Sequence, residues 1–154
     1  MTLVFVPVSS DELAAWATQG TLAGPRLAFA VTPAFMDAFG YASPTDEDAE
    51  HEVLRTASVE SLIEHGRRMV VVAQASAGSP GDLFGRIHVG DLAYTSVLSI
   101  FRDDPNAREV AALAPVVQDM TLERALDAVD VQRMLCDVEL LWYGPTEWPE
   151  ACGD

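Results

Sequence analysis

The sequence contains no lysine. Its nine basic residues are all arginine, set against twenty-four acidic residues for a formal net charge of −15. A general nucleic-acid binder needs clustered cations to displace the counterions of phosphate, so the charge argues against that class. Docking on an anionic membrane surface is disfavoured for the same reason. No window approaches the roughly 18 consecutive apolar residues of a membrane-spanning helix. The only cysteines, Cys136 and Cys152, are too few and too scattered for a disulfide framework or a metal knuckle. Without lysine there is no Gly-Lys-Ser/Thr phosphate loop, and neither Gly-x-Gly-x-x-Gly nor Gly-x-Ser-x-Gly occurs.

What is present suffices for a core. Hydrophobic residues make up 49% of the 154 positions, too many for intrinsic disorder and about right for a single domain covering residues 1–154. The apolar run Leu3–Val8 is short, lacks a basic segment before it and meets Asp11-Glu12 at once, unlike a secretory signal. With two isolated thiols, the expected setting is the cytoplasm. Absent lysine alongside abundant alanine and arginine points to a GC-rich coding genome, with a halophile's acidic surface as the rival account.

Punctuation along the chain predicts an opening β-α-β-α order. Leu3–Val8 reads as a strand that Pro7 places at an edge or ends. Ser9 and Glu12 have the spacing of a capping box for a helix that stops at Gly20. Leu27–Thr32 is a second strand, and Thr32-Pro33 opens a short helix to Gly40. Ser43-Pro44 is expected to start a third helix, with acids in its first turns and an ending at His65-Gly66. Arg68–Ala75 is the strongest strand, apolar enough to be central, and Ser76–Gly85 is a loop. Strands follow at Arg86–Val89 and Thr95–Phe101. Asp103-Asp104-Pro105 is expected to cap a helix that Pro115 blocks, and one amphipathic helix is expected from Leu122 to about Asp137. Glu139–Tyr143 closes the set as a strand, ahead of a Pro145–Pro149 stretch too proline-broken for regular structure. The fold expected is α+β or α/β, a sandwich of five to six short strands with about five helices.

Several of these features together resemble an uncharacterised actinobacterial family of small acidic proteins, known as a domain of unknown function. They are Val4-Phe-Val-Pro7 before an amphipathic helix, Phe29-Ala-Val-Thr-Pro33, the Arg67-Arg-Met-Val-Val-Val strand, Asp103-Asp104 after a strand, and Glu139-Leu-Leu-Trp-Tyr143. The last is the most specific, and the order spans nearly the whole chain. The resemblance implies the sandwich fold and an actinobacterial source. It implies no reaction.

The search for chemistry yields few convergent sets. Glu47, Asp48 and His51 have helical carboxylate–histidine spacing, but a di-metal site needs a second such motif, so a solvated acidic face is the preferred reading and no metal or cofactor is expected. Cys136, on a helix with aliphatic neighbours, reads as a small core residue. The weak catalytic candidates are His88, close in sequence to Asp91 and Tyr94, and the pair Asp103 and Asp104 at a strand end, where carboxylates suit Mg²⁺ chemistry. Trp142 and Tyr143 point to opposite faces of one strand, so one of them faces away from the core. With Trp148 they form the candidate interface, although Trp148 packing back over the sheet is an equal alternative. The leading expectation is a non-enzymatic cytosolic binding protein whose partner is a second copy, a basic protein surface or a small ligand, with no nucleic acid and no membrane. Alternatives are a small metal-dependent hydrolase using Asp103 or Asp104 with His88, and an acidic mimic of nucleic acid.

Overall fold

A computed structural model describes residues 2–76 and 81–153. The fold is α+β. Five strands in chain order form most of one antiparallel sheet: β1 (Thr2–Pro7), β3 (Arg26–Phe29), β4 (Met69–Ala75), β5 (Arg86–Val89) and β7 (Val97–Arg102). The short β8 (Leu141–Tyr143) completes it, in the order β5-β3-β1-β4-β7-β8. Two further two-residue strands, β2 (Thr21–Leu22) and β6 (Leu92–Ala93), pair with each other.

The continuous apolar runs of β1 and β4 arise because both sheet faces are covered. Alternate side chains go to opposite faces of a strand. Val70 and Val72 of β4 join Phe5 in one core, while Met69, Val71 and Ala73 join Val4 and Val6 in the other. The first core is roofed by α2 (Pro33–Phe39), α3 (Glu47–His65), α4 (Arg108–Val117), α5 (Leu122–Asp127) and α6 (Val129–Asp137). The second is roofed by α1 (Ser10–Gln19), through Leu13 and Trp16, and by α7 (Trp148–Cys152), through Ala151. Pro7 ends β1 inside the sheet, where a missing donor costs least at a strand terminus. The Ser9–Glu12 capping box forms as its spacing predicts, and Gly66 ends α3 with φ of +77°.

Several expected boundaries move, each for a local reason. Helix α3 begins three residues beyond Pro44, because Ser43–Asp46 closes a turn and the Asp46 carboxylate accepts from the Asp48 and Ala49 amides. Helix α4 begins at Arg108, not at the aspartates, and has no side-chain cap. The Asp104 carboxylate instead accepts from Asn106 N–H, and Asp103 is occupied elsewhere. Pro115 lies inside α4 rather than stopping it, two residues from the end, where few later bonds depend on the lost donor. The predicted helix from Leu122 is two helices, broken at the extended Ala128. Tyr94–Ser96 is a 3₁₀ turn before β7. The proline-rich C-terminal stretch is ordered into a 3₁₀ turn and α7. Within the expected Ser76–Gly85 loop, residues 77–80 lie outside the described set.

Two buried arginines lock one end of the sheet. Arg68 and Asp103 are 2% and 6% exposed. The Arg68 guanidinium donates to Asp103 Oδ1 through Nε at 2.9 Å and approaches it through Nη2 at 2.7 Å. Asp103 Oδ2 accepts the Arg68 backbone N–H at 2.9 Å. The same guanidinium donates to the Val138 carbonyl, which fixes the chain just before β8. Arg102 donates to the carbonyls of Asp103, Ala151 and Gly153, so it satisfies the free carbonyls at the end of α7. Removing one member of a buried ion pair leaves the other uncompensated, at a cost of about 3–5 kcal/mol. Asp103→Ala is therefore expected to lower the urea unfolding free energy by about that amount, and a loss below about 1 kcal/mol would contradict the pairing.

Candidate functional site

Strand β8 forms one edge of the sheet, paired only to β7. Trp142 stands opposite Phe101, Tyr143 opposite Ile100 and Leu141 opposite Arg102. Opposed residues share a face. Tyr143 therefore points with Ile100 into the second core, and Trp142 points with Phe101 to the α3 side. The helical roof does not reach Trp142, which is 61% exposed. Trp148, like Tyr143, is half-buried against the second core, so of the three expected interface aromatics Trp142 alone is exposed. Tyr94 ties down the segment before Trp148 by donating to the Pro145 carbonyl at 2.6 Å, and its ring makes an edge contact with Trp16. Between residues 137 and 150 the chain carries exposed Asp137, Glu139, Glu147 and Glu150 and no arginine.

A cleft of about 510 Å³ adjoins this edge. Positions 51, 54 and 55 lie on one face of α3, and this face supplies His51, Leu54 and Arg55 to one wall. The other wall is Leu135 and Cys136 of α6 with the extended Val138–Leu140. Phe101 and Arg68 form the floor. Arg68 is committed through Nε and Nη2 to Asp103 and the Val138 carbonyl, whereas the Nε of Arg55 is buried with no hydrogen-bond partner and its Nη1 lies 3.6 Å from Glu52. An apolar slot thus carries one weakly committed guanidinium in its wall.

The sequence profile of DUF6912, a family of unknown function, matches residues 2–151. The chain belongs to this family. No curated protein and no solved structure matches it.

The DUF6912 chain separates the residues proposed for catalysis. His88 is exposed on β5, at the opposite edge from β8. Four strand spacings lie between β5 and β7, about 19 Å, beyond hydrogen-bond or one-water reach of the aspartates that follow β7. Asp103 is buried against Arg68, and Asp104 is spent on a turn. Asp91 accepts the Gly24 N–H and Tyr94 donates to the Pro145 carbonyl, so each is held by a partner other than His88. Among the described residues no three His, Cys, Asp or Glu side chains gather as a metal site. Cys136 is exposed and lines the cleft, which corrects its reading as a core residue. At 3.6 residues per turn Cys136 falls on the side of α6 away from the buried Val131 and Met134, with the exposed Gln132 and Arg133.

Sequence reasoning missed Arg55 and Arg68. A signal for Arg68 existed: a cation directly before one fully apolar strand and an acid directly after another are brought together when those strands pair.

Glu60 and Glu64 form a separate acidic pair on α3. Burial, then hydrogen bonding and repulsion from Glu64, push the Glu60 carboxyl up to about 7, although Arg86 acts to lower it. Its folded value therefore lies above its ordinary value of 4.5. Stability from the neutral form is complete below about 4.5 and lost as pH rises through about 7. Glu60→Gln keeps the neutral form, so at pH 8 it should stabilise the fold by about 1–2 kcal/mol after discounting for partial exposure. At pH 4.5 it should change little, and denaturant titrations at both values check the difference.

Proposed function

We propose that this DUF6912 protein is a non-enzymatic binding protein whose β8 edge receives a basic, extended segment of a protein partner. The observation that carries this reading is Trp142, 61% exposed on an edge strand. Along the sequence the strand is bracketed by the exposed Asp137, Glu139, Glu147 and Glu150, and the nearest cations, Arg68 and Arg102, are buried and engaged with the fold. An edge strand offers unpaired N–H and C=O groups to an added strand. Because β8 has only three residues, backbone bonding alone supplies little, and affinity falls to the indole and the surrounding charge. An arginine or lysine from the partner meets the Trp142 ring face as a cation–π contact and the carboxylates as ion pairs. A second copy is the weaker occupant, since edge-to-edge pairing would bring two sets of carboxylates together.

The same reading places the protein in the cytoplasm, where its two unpaired thiols stay reduced. Among the described residues no helix is long and apolar enough to cross a membrane. The lysine-free composition and the closing Glu139-Leu-Leu-Trp-Tyr143 support an actinobacterial source.

An alternating valine–lysine hexapeptide, titrated into ¹⁵N-labelled protein, is expected to shift amides of residues 139–144 and few others. Trp142→Ala should weaken that binding by about tenfold, as loss of a buried aromatic contact does, and leave unfolding stability within about 0.5 kcal/mol. Equal binding of a valine–glutamate hexapeptide would refute the charge match. A dimer at micromolar concentration by light scattering, abolished by Trp142→Ala, would give the edge to a second copy instead.

A further inference from the structure

The cleft beside β8 has a chemistry of its own. Its walls are mostly aliphatic and aromatic, through Leu54, Phe101, Leu135 and Leu140. Its volume, about 510 Å³, lies within the usual range for small-molecule sites. Two arginines face it, and they differ in state. Arg68 is neutralised by Asp103 and anchored to the Val138 carbonyl. Arg55 is not: its Nε is buried without an acceptor, and its one carboxylate neighbour, Glu52, stands 3.6 Å from Nη1. The Nε itself is sealed from a ligand, but the side chain is 25% exposed and lines the cleft, and Nη1 has only the carboxylate at 3.6 Å, so the Nη groups are the donors that an acceptor delivered from outside can meet.

We infer that this cleft binds a small monoanionic carboxylate with an apolar body, its carboxylate on Arg55 and its apolar part against Leu54, Phe101, Leu135 and Leu140. Carboxylate geometry matches two N–H groups of a guanidinium. Glu139 on the opposite wall and the net charge of −15 both act against a second negative charge, which disfavours phosphate dianions. Carboxylates of metabolic or lipid origin share this chemistry, and chain length separates them in the test below.

Cys136 provides a readout that needs no mutation. It is exposed in the cleft wall, while Cys152 lies half-buried outside it, donating to the Ser10 carbonyl, with its thiol pushed up by burial. Alkylation of Cys136 by iodoacetamide, followed by peptide mass spectrometry, is expected to slow at least fivefold in saturating octanoate, with Cys152 unchanged. Calorimetry should show one octanoate per chain, with butanoate weaker if the body is a lipid-like chain and equal if it is a small metabolite. Octanamide and octyl phosphate should each bind at least tenfold more weakly than octanoate. Arg55→Gln should remove that preference for octanoate over octanamide, while Leu135→Trp, which fills the slot, should block both. Equal affinity of wild type for octanoate and octanamide, or unprotected Cys136, would overturn the assignment, and circular dichroism confirms that each variant is folded.

Discussion

The buried contact between Arg68 and Asp103 joins the start of β4 to the end of β7, and through the Val138 carbonyl it also holds the approach to β8. Charges removed from water are tolerated only when paired and fully hydrogen-bonded, and here the guanidinium and both carboxylate oxygens are engaged. The neighbouring Arg102 reaches the Ala151 and Gly153 carbonyls, so the C-terminal helix is tied to the same corner. Two adjacent strand ends thereby fix the chain at Val138, just before β8, and at the end of α7. Apolar packing holds the central strands, but β8 has only three residues and an exposed side chain at Trp142. Its place in the sheet depends on this polar corner more than on burial.

The edge and the cleft are consequences of one arrangement. Arg68 anchors Val138, the extended Val138–Leu140 forms one wall of the cleft, and the next residues become the edge strand. Phe101 faces the cleft and stands opposite Trp142. The cleft wall and the edge strand are thus consecutive segments of one stretch of backbone. The excess of acid has a similarly local meaning. Much of it caps or lines helix starts, as Asp46, Glu47 and Asp48 do at α3, while the stretch from Asp137 to Glu150 combines carboxylates with an exposed aromatic on an edge strand.

Patterns with a short physical range were legible in the sequence. The Ser9–Glu12 capping box, the Thr32-Pro33 helix start, the Gly66 ending and the central run of β4 all depend on neighbours within a few residues. Ser43-Pro44 and Asp103-Asp104 misled because a Ser, Asp or Pro that starts a helix also makes a turn or an ion pair, and the choice is made by a distant partner. For Asp103 that partner is Arg68, thirty-five positions away. Opposed faces for Trp142 and Tyr143 followed from strand alternation, but which one is buried depended on how far the helical roof extends. The cleft was not legible, since α3, α6 and β7 contribute to it from separate parts of the chain. Membership of DUF6912 agrees with the resemblance to a family of unknown function and leaves chemistry to be decided by geometry.

Native-state hydrogen exchange on Arg68→Met tests the central claim that the polar corner positions the edge. The variant removes the guanidinium while keeping much of the apolar stem. Amides of β8 and of residues 138–140 are predicted to lose protection strongly, by about 100-fold if roughly 2–3 kcal/mol of local stability rests on the contact. Amides in the centre of β1 and β4 are predicted to retain much more of theirs. Uniform loss of protection across the sheet, or an unchanged β8, would contradict the account.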